Sequence, residues 1–295
     1  MLQQQAAKGE DHIWLTPVAR KQLRAMAASS APQTRQQAPA TSPRTQAAAT
    51  TSQPQRDEAP RNVAKIERPD LGKKTDTPTP SAETLSPEGS TKIEKLDWLK
   101  QRAQNWEPAR KLDSLRDTMV FSVGNPDARI VFVGEAPGAE EERQREPFVG
   151  PAGQLLTKII EAMGIPRADV YISNIVKFRP ALPNQGESNR KPTSEEMASC
   201  VAFVKTEIEV IQPDVVVALG GTAAEGLLGL SGSVSRMRSQ FHDLSGIPTM
   251  VTFHPSYLLR NKQLTERRKV WEDMLMVMEK LQLPISPKQR AYFKK

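Results

Sequence analysis

A carboxylate, an aromatic ring, a carboxamide and an imidazole stand in this chain where chemistry on a flat polar ligand would want them. Glu135 lies in Gly134-Glu135-Ala136-Pro137-Gly138, directly after the apolar run Arg129-Ile-Val-Phe-Val133. Gly134 and Gly138 permit a sharp turn and close approach to a ligand, and Pro137 stiffens that turn. In such a loop Glu135 can polarise a water, oppose a cationic intermediate, or simply face solvent. Phe148, in Pro147-Phe-Val-Gly150, is either a core residue or a ring that stacks on a flat ligand. Asn174 ends an apolar run and offers a donor and an acceptor on one side chain. It is either a turn residue or a reader of a ligand edge that carries adjacent N–H and C=O groups. His254 opens His254-Pro-Ser-Tyr-Leu-Leu-Arg260. A neutral imidazole there can donate to a carbonyl oxygen that gains charge as a leaving group departs, or it can serve packing alone.

The elements that must position these groups follow from periodicity. Arg129–Val133, Val170–Val176, Asp214–Leu219 and Thr249–Phe253 are apolar runs of strand length. Between them, Gly153–Met163 and Thr222–Leu228 have helical spacing, and Thr193-Ser-Glu-Glu196 forms a capping box that opens a helix to about Ile211. Ile93–Ala103 precedes the first strand as a helix, and Thr265–Leu281 closes the domain as another. Strands that alternate with helices imply an α/β fold with three layers (α/β/α) around a central four-stranded parallel sheet. Ligands of such sheets bind beyond the carboxyl ends of the strands. Glu135, Asn174, Gly220 and His254 all fall at or just past those ends, so one shared site is expected.

Composition bounds the rest. The chain has 295 residues, enough for one or two domains, and 41 basic against 34 acidic residues leave a net charge of +7. That balance favours a polyanionic partner, or reflects a mixed solvated surface. Cys200 is the one cysteine, so no intrachain disulfide forms, and His12, His242 and His254 add too little for a Cys/His zinc site. No apolar run reaches membrane-spanning length and no signal-peptide core is present, so a cytoplasmic protein without membrane contact is expected. Residues 1–90 hold 10 of the 24 prolines and one aromatic, Trp14. We divide the chain into a tail (1–26), a disordered linker (27–91) and a folded domain (92–295). Within the tail, Ile13-Trp14-Leu15, Thr16, Pro17, Val18, Leu23 and Met26 read as a segment that folds on a protein partner, or as chance apolar residues.

Taken together, these motifs resemble family 4 of the uracil-DNA glycosylases. The resemblance runs from about Leu96 to Leu281. It rests on Gly134–Gly138, Pro147–Gly150 with Ala152-Gly153 and Leu155-Leu156, Asn174-Ile-Val-Lys177 with Arg179-Pro180, Asn189-Arg190, and His254–Arg260. It implies a monomeric, monofunctional enzyme of base excision repair that flips uracil out of DNA and cuts its N-glycosidic bond by a dissociative route. By resemblance Phe148 stacks on the base, Asn174 reads its N3–H and O4, Glu135 lies by the sugar and His254 stabilises the departing anion. Gly134, Ala136 and Pro137 complete the substrate contacts. Ser256, Leu258, Leu259, Arg260, Lys177 and Arg190 are expected on DNA, with Leu258–Leu259 as the wedge. Alternatives are a glycosylase for another deaminated base, or a DNA-binding relative that has lost catalysis.

Two departures modify these expectations. The family typically holds a four-cysteine iron–sulfur cluster, whereas here Phe178, Glu107 and Arg110 stand at expected ligand positions and Cys200 alone remains. One thiolate cannot hold a cluster, so no cofactor and no metal are expected. We expect Phe178 to fill part of the vacated space and Glu107 to pair with an arginine. The loop Pro180–Arg190 is long and lacks the histidine through which a related subgroup traps uracil covalently, so turnover is expected. Ala136 stands where other glycosylase families place an aspartate, so strong general-base catalysis is not implied.

Overall fold

The structure, a computed structural model, describes residues 85–294; the tail, its segment 13–26 and the linker up to residue 84 lie outside the described residues. Packing reaches back to Leu85, which is buried in the core seven residues ahead of the expected domain boundary. Helix α1 (Lys92–Gln104) is capped by Thr91 and Glu94 in reciprocal hydrogen bonds, and buries Leu96, Leu99 and Ala103. The short α2 (Glu107–Arg110) leads to β1 (Leu115–Met119) and β2 (Val123–Gly124). Strand β3 (Ile130–Gly134) is buried at every position, as a strand covered on both faces must be. Then come α3 (Ala139–Gln144), α4 (Pro151–Ala162), β4 (Tyr171–Asn174), β5 (Phe178–Pro180) and α5 (Ser194–Ile211). The expected capping box is present at the start of α5, between Thr193 and Glu196. The remainder is β6 (Val215–Leu219), α6 (Gly221–Leu228), α7 (Val234–Met237), β7 (Phe241–Leu244), β8 (Ile247–Thr252), α8 (Pro255–Arg260), α9 (Leu264–Lys280) and α10 (Pro287–Ala291).

The sheet runs in the order β2-β4-β3-β6-β8-β7. Its central four strands are the expected parallel set, and β2 and β7 add antiparallel edges. The edges escape a periodicity reading because β2 is two residues long and β7 is only half-buried. The expected strand Val170–Val176 stops at Asn174, and the chain beyond it forms β5, which pairs with β1 as a separate ribbon.

Alternation along the strands builds two cores. Val131, Val133, Val216 and Ala218 face one side with Leu99 and Phe203, while Phe132, Val217 and Met250 face the other with Leu156, Ile160 and Met274. The result is the expected three-layer α/β/α arrangement. Register levels the carboxyl ends: Gly134 pairs with Asn174, Val133 with Ala218, and Leu219 with Thr252. Chain order reverses at β3, whose neighbours β4 and β6 lead away on opposite sides, so a crevice opens there.

Candidate active site

Glu135 is the first residue past β3. Its Oε2 accepts a hydrogen bond from Thr222 Oγ1 at 2.5 Å, across the crevice from the start of α6. Burial raises the carboxyl pKa above its ordinary value, while the Thr222 hydroxyl and the cations Lys191 and Arg260 pull it back. The group is thus a half-buried carboxylate with one fixed donor and a positive surround.

Phe148 holds a left-handed backbone (φ 57°), which a bulky residue adopts only when its surroundings demand it. Two features impose it. Glu141 Oε1 accepts from the main-chain N–H groups of Val149 and Gly150, at 3.1 and 2.9 Å. Gly153 lies so close below that a Cβ there would come within 1.8 Å of the Phe148 carbonyl oxygen. The ring is thereby buried against His254, with centroids 5.7 Å apart and planes 33° from parallel. Gly134 separates this ring from Asn174: a Cβ on it would sit 2.4 Å from both Phe148 Cζ and Asn174 Oδ1.

Asn174 is buried at the end of β4, and its Oδ1 has no hydrogen-bond partner among the described residues. A buried acceptor left unpaired costs about 1–3 kcal/mol, which a ligand N–H would recover. His254 caps α8. Its Nδ1 accepts from the main-chain N–H of Ser256 at 3.1 Å and lies 2.8 Å from Ser256 Oγ. A main-chain N–H can only donate, so the proton of the neutral ring resides on Nε2. Burial, helped by Arg260, lowers the imidazole pKa to about 4, so the ring is neutral at physiological pH.

These groups line one hollow of about 460 Å³, together with Ala136, Pro137, Ser256 and Arg260. The structure thus brings Glu135, Phe148, Asn174, Gly220 and His254 to one hollow. Residues given no site role from the sequence also contribute: Thr222, Glu141, Asn189 and Lys191. Thr222 carried a signal, since it follows Gly220-Gly221 at a strand's carboxyl end. Glu141 carried none, because its role depends on main-chain groups eight and nine residues away. Asn189 is set by Arg179, whose Nε donates to Asn189 Oδ1 at 2.9 Å while its other nitrogens reach Glu142 and the carbonyls of Gly186 and Ser188.

Two expected DNA contacts, Lys177 and Leu258, need correction, and a third, Arg190, is held by neighbours. Lys177 is fully buried, with Nζ 2.6 Å from Glu207 Oε1 and 2.7 Å from Ser173 Oγ, so it cannot reach a phosphate. Leu258 is buried among Phe253, Val270 and their neighbours and anchors α8; Leu259 beside it is exposed. Arg190 touches the hollow, but its guanidinium is held by Glu196 (2.5 and 2.8 Å) and by the carbonyls of Ser114 and Ala181. Glu107 pairs with Lys111 at 2.9 Å, not with the expected arginine, because Arg110 reaches Asp117 instead. Among the described residues, no group of three or more His, Cys, Asp or Glu side chains is placed to hold a metal ion, and no helix is long and apolar enough to cross a membrane.

The matched span of known proteins includes the residues of this hollow. Residues 121–275 match the Uracil DNA glycosylase superfamily. The Type-4 uracil-DNA glycosylase of Thermotoga maritima is 50% identical over 161 residues, which cover 54% of this chain and 81% of that protein. The enzyme of the same name from Archaeoglobus fulgidus is 39% identical over 163 residues, 52% of this chain and 79% of that one. That of Saccharolobus solfataricus is 37% identical over 180 residues, 58% and 80% of the two chains. With the matched span holding the carboxylate, the ring, the carboxamide and the imidazole of one hollow, the chain belongs to the uracil DNA glycosylase superfamily, in its type-4 family.

Proposed function

We propose that this protein hydrolyses the N-glycosidic bond of deoxyuridine in DNA, releasing uracil and leaving an abasic site. The observation that carries the reading is the unpartnered Oδ1 of Asn174, buried in the wall of a hollow that also presents Phe148 and a neutral His254. Uracil N3–H supplies the missing donor, and its flat ring suits the Phe148 face, where base stacking contributes about 1–3 kcal/mol. As the C1′–N1 bond breaks, its electron pair leaves with the base, and the negative charge on the pyrimidine carbonyl is met by the Nε2–H of His254. The positive sugar is opposed by the Glu135 carboxylate. Water then adds at C1′ and its proton passes to the released uracil anion, so that hydrolysis is completed with no covalent bond to the protein. Lys191, the lysine at the hollow, is paired with Glu225 at 3.0 Å, which suits a monofunctional enzyme.

The iron–sulfur cluster implied by the type-4 resemblance does not fit the residues present. Cys200 is the chain's one thiol. Phe178 stands where a further ligand is expected, and its ring is covered by the Arg110 guanidinium at 4.8 Å. Our reading is of a type-4 enzyme that works without the cluster, as a cytoplasmic monomer. Residues 13–26 remain a candidate site for a protein partner on their sequence pattern.

The test uses single- and double-stranded oligonucleotides that contain uracil, hypoxanthine or xanthine, followed by alkaline cleavage. Strand breaks at uracil, abolished in Asn174→Ala and reduced about 10²–10³-fold in His254→Ala, are expected. Cleavage only at the purines would move the reading to another deaminated base. Binding without release would make the chain a DNA-binding relative.

A further inference from the structure

Beside the active-site hollow lies a second one of about 380 Å³, on the far side of α8. The two share walls. Ala152 on α4 and Ser256 and Arg260 on α8 face the first, while Leu155 and Ile159 on α4 and Leu259 on α8 face the second. The second is apolar, carries the exposed rings and side chains of Phe293 (41% exposed) and Leu259 (39%), and is flanked by Lys158 and Arg267. Both cations are exposed, and neither takes part in an ion pair among the described residues.

The segment that carries Phe293 is anchored to the domain through the residues just before it. Trp271 Nε1 donates to the Gln289 carbonyl at 2.6 Å, Gln289 Nε2 to that of Ala162 at 2.9 Å, and Arg268 to that of Tyr292 at 2.7 Å. Tyr292 packs on Trp271, and Phe293 meets Tyr292 edge-on with centroids 6.3 Å apart. Phe293 also has a left-handed backbone (φ 59°), a conformation that costs a bulky residue energy and persists only where neighbours enforce it. An exposed aromatic on an anchored segment, an apolar floor and two exposed cations make the composition of a platform on which a nucleobase stacks while its phosphates find counter-charge.

We propose that this hollow is a second nucleobase subsite, which receives an unstacked base of the same DNA strand next to the nucleotide whose base enters the first. The proposal rests on the DNA substrate of the proposed function. Charge and continuity favour nucleic acid over a protein here: the cations continue the positive surround of Arg260, and one helix divides the two hollows.

The test is binding of the full chain to fluorescein-labelled single-stranded oligonucleotides that carry one deoxyuridine, read by anisotropy, with kcat and KM measured alongside. In matched substrates each position flanking the uridine is replaced by an abasic spacer. We expect one spacer position to weaken binding and raise KM about tenfold while kcat stays unchanged. In Phe293→Ala that penalty vanishes, because the platform is gone, and Phe293→Trp restores it. Lys158→Ala and Arg267→Ala weaken binding to all these strands alike. Phe293→Ala binding of intact and spacer strands equal to the parent chain would overturn the subsite and leave the hollow as a protein-docking surface. Because anisotropy needs no turnover, absence of uracil release would sink the proposed function without deciding the subsite, which binding reads separately.

Discussion

At the scale of single residues, the hollow works by setting protonation states before any substrate arrives. His254 receives the Ser256 N–H on Nδ1 and sits in surroundings that lower its pKa to about 4, so its Nε2–H is a fixed neutral donor. Glu135 has a raised pKa because burial outweighs the help of Thr222. The profile of kcat/KM against pH should therefore show an acid limb displaced upward from that of a free glutamate, activity falling as Glu135 gains its proton. No imidazole inflection near 6.5 is expected. Thr222→Val removes the donor that favours the carboxylate and should move the acid limb to higher pH. A limb near 6.5 that disappears in His254→Gln would show that the imidazole titrates in the working range and refute this assignment. The types of Glu135, Phe148, Asn174 and His254 were legible in the sequence as chemistry-bearing; Thr222 was marked only by its place after Gly220-Gly221 and Glu141 by nothing, since a hydroxyl or carboxylate acquires a role only from what lies opposite it.

At the scale of elements, the turn between α3 and α4 sets the ring of Phe148. Glu141 binds two main-chain N–H groups in that turn, and charge-assisted bonds of this kind contribute more than neutral ones. Glu141→Ala should release the left-handed strain at Phe148, which is of order 1–3 kcal/mol, and let the ring leave the hollow. We expect KM for uracil-containing DNA to rise about tenfold, with Glu141→Gln recovering most of the loss because an amide oxygen still accepts both bonds. Equal kinetics for the alanine variant and the parent chain would show that Gly153 packing alone holds the turn. The region of α2, β5 and α5 permits a second prediction. There Trp106 packs edge-on against Phe203 at 5.0 Å, and the Cys200 thiol is wholly buried, with its pKa raised by that burial. Cys200→Ala should leave activity within about twofold, and the purified protein should carry no stoichiometric iron or acid-labile sulfide. Loss of iron and activity together in that variant would contradict a cluster-free enzyme.

At the scale of the whole molecule, charge and buried polarity separate what binds DNA from what holds the fold. The net charge of +7 makes affinity for DNA fall with salt, and removing the exposed Arg260 should reduce the slope of log Kd against log salt by about one. Lys177→Met should leave that slope unchanged. It should instead destabilise the fold by about 3–5 kcal/mol in denaturant titration, because Glu207 is left charged and buried without its partner. A changed slope with unchanged stability would restore Lys177 to the DNA-binding surface. Local pattern in the chain was enough to place the alternating strands and helices, the four parallel strands and the edge at which Glu135, Asn174 and His254 gather. Those follow from local periodicity and from the rule that parallel strands share an end. Packing in three dimensions was needed to show which cations face outward, which leucine of Leu258-Leu259 is exposed, and which ring nitrogen of His254 carries the proton. Each of those depends on groups distant in the chain, whose meeting no local pattern encodes.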